Sequence, residues 1–142
     1  MLPSRRQALS LALLPVLPAQ ATPQALEAAV RRYVGTAPLQ DGRVEIDIAE
    51  LVENGNTVPV TLRMASPMTA DDHVRSLALF TERNPQPEVA VFHLTRHNGR
   101  AEVHTRIRLA TSQQLVALAT TNDGRCWRRR VDVLVTLAAC IE

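Results

Sequence analysis

The chain has 142 residues, enough to bury one modest core and too few for two independent ones, so a single fold must account for all of it. Hydrophobic residues make up 46% but aromatic ones only 3%, which leaves Val, Leu, Ile and Ala to build the core and excludes a base-stacking platform. The net charge of +2 comes from 16 arginines against 14 acids, and with Arg5 and Arg6 assigned to a removed leader the balance is 14 to 14, so no nucleic-acid partner is expected.

Residues 1–21 read as an address. Arg5 and Arg6 form a twin-arginine pair within Ser4-Arg5-Arg6-Gln7-Ala8-Leu9, an apolar run follows from Ala8 to Val16, and Ala19-Gln20-Ala21 supplies small residues for cleavage. Charged region, hydrophobic region and cleavage site stand in the order of a twin-arginine (Tat) export signal, which predicts a periplasmic protein starting at Thr22. The alternative is an N-terminal membrane anchor. Against it, the apolar run is shorter than the ~20 residues a bilayer requires, and Pro15 and Pro18 interrupt it. The mature domain is expected to have no membrane contact, and because this route carries folded proteins, a partner without its own signal is able to travel with it.

From Pro23 to Tyr33 the apolar positions Leu26, Val30 and Tyr33 share one helical face, with Thr22 as cap and Gly35 as stop. The period then changes to two. Val44, Ile46 and Ile48 alternate with Arg43, Glu45 and Asp47, while Val58, Val60, Leu62 and Met64 alternate with Thr57, Pro59, Thr61 and Arg63, the pattern of half-buried strands joined by the turn Glu53-Asn54-Gly55-Asn56. Pro59 predicts that the second of these strands is an edge or a bulge. Further strands are expected at Val74 to Phe80, Val89 to Leu94, Ala101 to Leu109, Gln114 to Ala119 and Cys126 to Leu137. Asn84-Pro85-Gln86-Pro87, His97-Asn98-Gly99 and Asn122-Asp123-Gly124 serve as turns between them. About seven short strands at such intervals predict an all-β, immunoglobulin-like antiparallel sandwich with a short N-terminal helix. On the last strand Trp127, Arg129, Val131, Val133, Val135 and Leu137 fall on one side and Cys126, Arg128, Arg130, Asp132, Leu134 and Thr136 on the other.

Few residues carry chemistry. Cys140 is either a small buried hydrophobe or, near a terminus that rarely packs well, an exposed thiol. A Cys126–Cys140 disulfide competes with the free thiol in an oxidising compartment. If Cys126 to Leu137 is one strand, however, the two cysteines lie roughly 45 Å apart when extended, against the ~7 Å that a disulfide requires. His73, His93, His97 and His104 lack supporting ligands at metal spacing and read as loop or surface residues, so no metal or other cofactor is expected. Arg128-Arg129-Arg130 reads as a partly solvated strand face and not a nucleic-acid patch, with docking to an acidic partner surface as the alternative. Asp71 and Asp72, as neighbours, point apart and do not form a catalytic pair.

The stretches Glu53-Asn54-Gly55-Asn56-Thr57-Val58-Pro59-Val60, Ser66-Pro67-Met68-Thr69-Ala70-Asp71-Asp72, Asn84 to His93 and Gly99 to Ala110 together resemble the SoxY family over most of the mature chain. The resemblance implies a carrier and not an enzyme. SoxY proteins pair with a second sandwich subunit, SoxZ, and hold sulfur intermediates on a cysteine in a mobile C-terminal arm, where other Sox enzymes attach thiosulfate, remove sulfate and oxidise what remains. The family's arm reads Gly-Gly-Cys-Gly-Gly after a strand ending Val-Thr-Ile. Here Val135-Thr136-Leu137 is followed by Ala138 and Ala139, then Cys140, then Ile141 and Glu142. The carry-over therefore makes Cys140 the attachment residue and Ala138, Ala139, Ile141 and Glu142 its mount, with alanine less conformationally permissive than glycine. Two functions are expected from this pattern: a periplasmic carrier of thiosulfate-derived sulfur, or a divergent module that pairs with a SoxZ-like subunit without carrying substrate.

Overall fold

Thr22 and Gly35 bracket the helix in the computed structural model, which describes Pro15 and residues 22–140. The expected export signal (apart from Pro15) and the arm residues Ile141 and Glu142 lie outside the described residues. Helix α1 runs Pro23–Val34. The Thr22 hydroxyl accepts the Ala25 N–H at 3.1 Å, and the Gly35 N–H, at φ 61°, donates to the Arg31 carbonyl at 2.9 Å. Both ends thereby satisfy backbone groups that a helix leaves open.

Nine strands follow: β1 (Leu39–Asp41), β2 (Val44–Asp47), β3 (Leu51–Val52), β4 (Val58–Met64), β5 (Val74–Thr81), β6 (Glu88–His93), β7 (Ala101–Ile107), β8 (Gln113–Thr121) and β9 (Cys126–Val135). One sheet has the order β1-β9-β8-β5-β6, with β3 also on β9, and the other has the order β2-β4-β7. Val44, Leu62, Leu77, Leu79, Leu109 and Leu115 are fully buried in the core between the sheets, each contributing about 1.5–3 kcal/mol of transfer free energy. A second apolar layer lies on the outer face of the larger sheet, where Leu26, Ala29 and Val30 of α1 cover Ala78, Phe80, Val116, Leu118 and Cys126. Strands β5 and β8 are buried on both faces in consequence, and for this reason they read as near-continuous apolar runs.

The immunoglobulin-like sandwich with its short helix is as expected, with three corrections to its detail. There are nine strands among the described residues, and the pairing is not wholly antiparallel: β1 and β3 both run parallel to β9. These two pieces are too short to show periodicity and exist because β9 offers them an open edge. Pro59 does not mark an edge strand, because β4 is central between β2 and β7. The strand tolerates it because β2 ends at the pair Asp47↔Thr61, so at Pro59 only β7 lies alongside, opposite Arg106. The strand expected to reach Leu137 ends at Val135, and that expected to reach Leu109 ends at Ile107.

A fork of two hydrogen bonds joins β1 to β9: Arg128 donates from Nε to Asp41 Oδ1 at 2.7 Å and from Nη2 to Asp41 Oδ2 at 3.2 Å. Bonding to the Arg128 guanidinium holds the Asp41 carboxyl below its usual range. A depressed folded-state pKa adds stability that is present above the unfolded value and lost as pH falls through the folded one. The urea midpoint of the native chain is therefore expected to fall more steeply than that of Asp41→Asn as pH drops below the ordinary aspartate value. Parallel curves in an equilibrium urea titration against pH would contradict this role for the pair.

Candidate functional site

β9 is gripped along both edges almost to its end. The Val135 N–H donates to the Ser112 hydroxyl at 2.8 Å on the β8 side, while the N–H groups of Leu134 and Thr136 donate to the carbonyls of Glu50 and Val52 at 2.8 and 3.0 Å on the β3 side. Beyond the strand the backbone stays tethered. The Thr136 hydroxyl donates to the Glu53 carbonyl at 3.1 Å, the Leu137 carbonyl accepts the Gly55 N–H at 2.8 Å, and the Ala139 N–H donates to the Leu109 carbonyl at 3.0 Å. Last, the Cys140 N–H donates to Asn56 Oδ1 at 3.1 Å.

The two cysteines occupy opposite environments. Cys140 is exposed and Cys126 is buried, both as free thiols. Cys126 starts β9 beneath α1, within a polar group in which the Thr120 hydroxyl donates to the Tyr33 hydroxyl at 3.2 Å and Tyr33 bonds Ser76. Burial pushes the Cys126 thiol up, and burial likewise raises Tyr33. A neutral, covered thiol is a poor nucleophile, and Cys140 is the exposed member of the pair.

Of the residues singled out from sequence, Ala138, Ala139 and Cys140 stand together at the end of β9, with Ala138 and Cys140 exposed and Ala139 half-buried. The resemblance implies a mobile arm, whereas here its last described residues are hydrogen-bonded to the body. His93 and His97 are exposed at the β6–β7 end. His73 bonds the Thr69 carbonyl through Nδ1 at 2.9 Å, and His104 lies between Thr61 and Glu102. Among the described residues, no three His, Cys, Asp or Glu side chains gather at metal spacing. Arg128 and Arg130 face Asp41 and Glu27, and Arg129 donates to the Val44 carbonyl at 3.2 Å, so the triplet holds strands and helix together. Asp71 and Asp72 are exposed in the loop before β5.

Sequence reasoning missed the seat of the arm. Gly55 and Asn56 read as an ordinary turn, and Leu109 as the end of a strand. Asn84 read only as a turn former, yet it is buried and brackets Leu109, donating to the Arg108 carbonyl at 2.8 Å and accepting the Ala110 N–H at 3.0 Å. Beside the seat an open groove of about 970 Å³ runs along Asp47, Glu53, Asn54, Thr61, His104 and Arg106.

The family model described as sulfur oxidation protein SoxY matches residues 30–140. Among solved structures, the chain is similar to the sulfur carrier protein SoxY from Chlorobium limicola f thiosulfatophilum at 31% identity and TM-score 0.66, over 80% of this chain and 98% of that one. A superoxide reductase (neelaredoxin) from Ignicoccus hospitalis aligns at 18% identity and TM-score 0.58, over 80% and 93% of the two chains. One from Nanoarchaeum equitans aligns at 13% and 0.57, over 69% and 100%. These last two show the fold alone. No curated protein matches the sequence.

The contrast between the thiols gives a direct expectation. A neutral thiol reagent should label the exposed Cys140 readily in the folded protein, and Cys126 more slowly by about a hundredfold or more, because its modification requires local opening. Peptide mass spectrometry of a labelling time course reads both sites, and equal rates would contradict the assignment.

Proposed function

Because the chain belongs to the SoxY family of sulfur oxidation proteins, we propose that it is a periplasmic sulfur carrier that holds thiosulfate-derived sulfur covalently on Cys140 and presents it to separate Sox enzymes. The observation that carries this reading is the position of Cys140: an exposed free thiol just past the end of β9, while the other cysteine is buried. The thiol and thiosulfate join as Cys140–S–S–SO3⁻, with release of one proton and two electrons to a separate haem enzyme. Hydrolysis by a second enzyme then frees sulfate and leaves a persulfide on Cys140. The chain provides the nucleophile and the mount, and its partners provide the redox and hydrolytic centres.

A SoxZ-like subunit is the proposed heterodimer partner. Support comes from family membership and from exposed leucines near the arm: Leu51 and Leu134, cross-strand neighbours, are 55% and 62% exposed, and Leu137 is 60% exposed. Apolar side chains so placed gain from a covering subunit. Among the described residues no helix is long and apolar enough to cross a membrane, and the carrier is proposed to reach the periplasm by the twin-arginine signal in residues 1–21, cleaved after Ala21.

The tethering of Ala139 and Cys140 favours a second reading, in which the chain pairs with its partner and carries nothing. One experiment separates the two. Incubation with the partner haem enzyme and thiosulfate should add sulfur-containing mass to the native chain and none to Cys140→Ser. A chain with glycine at positions 138, 139, 141 and 142 should load at least as fast, through its freer backbone. Cys140→Ser gaining the same mass would overturn the attachment site, and a chain that stays unloaded with the glycines present would support the pairing-only reading.

A further inference from the structure

The segment after β9 is received by Glu53, Gly55 and Asn56 of one turn and by Leu109 beside it. We propose that Gly55 and Asn56 are positioning residues that hold residues 137–140 against the sandwich, so that the Cys140 thiol, exposed at the surface, extends away from the body into a partner enzyme only when this seat releases. The purpose of the seat rests on the carrier reading; its geometry does not.

Gly55 is buried, and its N–H donates to the Leu137 carbonyl at 2.8 Å while its own carbonyl accepts the Leu109 N–H at 2.9 Å. The Leu109 carbonyl in turn accepts the Ala139 N–H at 3.0 Å, closing a knot of three backbone segments. A Cβ at Gly55 would lie 2.5 Å from the Leu109 oxygen, 2.9 Å from the Ala139 nitrogen and 3.1 Å from the Leu137 oxygen. All three are backbone atoms, so no rotamer change relieves the overlap. Gly55 is not among the positive-φ glycines; what the position demands is space for close backbone approach.

Asn56 supplies the final contact. Its Nδ2 donates to Asn54 Oδ1 at 3.1 Å, and its backbone N–H donates to the same oxygen at 3.0 Å. The carboxamide is thereby turned so that Oδ1 faces the Cys140 N–H. From the other side, Asn84 grips the carbonyl of Arg108 and the N–H of Ala110, which stiffens Leu109 between them. The segment is therefore received by groups that are themselves held. A hydrogen bond of ~1 kcal/mol biases a two-state equilibrium about fivefold, so the seat is firm enough to order the arm and weak enough for a partner to open.

The test uses the full mature chain and two variants, with His97→Ala at the distant β6–β7 loop as control. Amide exchange of Ala139 and Cys140 reads the seat, exchange in β4 reads the fold, and thiosulfate-dependent mass gain with limiting partner haem enzyme reads presentation. Asn56→Ala should lower Cys140 amide protection about fivefold, leave β4 protection intact and speed loading. Gly55→Ala should abolish protection at both arm amides, and if it also weakens β4 the Asn56→Ala result decides. Arm amides that exchange in the native chain as in a free peptide, or keep their protection in Asn56→Ala, would overturn the seat. Protection that falls while the loading rate holds would overturn its control of presentation. If the arm amides respond as expected and no chain loads, including the native one, the seat stands and the carrier reading falls.

Discussion

Strand β9 is the element on which the arrangement depends. Its ten residues pair with β8 along one edge and with β1 and β3 along the other, so the end of the chain leaves a strand held in register on both sides. Its inner face places Val133 in the core and its outer face begins with Cys126 under α1. A one-residue slip of β9 would exchange these faces, exposing Val133 and burying Arg128 and Arg130. The parallel pairings with β1 and β3, together with the Arg128–Asp41 fork, set the register at both ends.

From that constraint the two thiols acquire different chemistry. Cys126 enters β9 where the helix covers the sheet, and it is buried with its thiol form favoured. Cys140 follows the other end of the same strand, past every covering element, and is exposed. A strand separates the two, which is why the chain keeps one structural cysteine and one available for chemistry without joining them. The turn at Glu53-Asn54-Gly55-Asn56 meets the departing backbone at once, so the exposed thiol belongs to a segment with defined hydrogen-bond partners.

Much of the fold was legible in local pattern. The alternation of Val58, Val60, Leu62 and Met64 marked β4 to the residue, and Thr22, Pro23 and Gly35 marked the helix within one position. The double burial of β5 and β8 was visible only as runs without alternation, because helical cover on the outer face removes the polar half of the pattern. What local pattern could not show is non-local. Leu39–Asp41 and Leu51–Val52 are strands only because β9 lies beside them, and Pro59 is tolerated in a central strand only because β2 stops short of it. At the candidate site, Cys140 stood out by its place in the chain and by its family pattern. Gly55, Asn56, Leu109 and Asn84 did not, since their role is to receive a segment at the far end of the sequence.

Cys140 is proposed to bear sulfur in the working protein. Mass spectrometry of the protein isolated from cells oxidising thiosulfate tests it most directly. The C-terminal peptide should carry added sulfur on Cys140 that a reductant removes, with Cys126 unmodified. A population in which Cys140 is bare under active sulfur oxidation, or in which the added sulfur sits on Cys126, would contradict the claim.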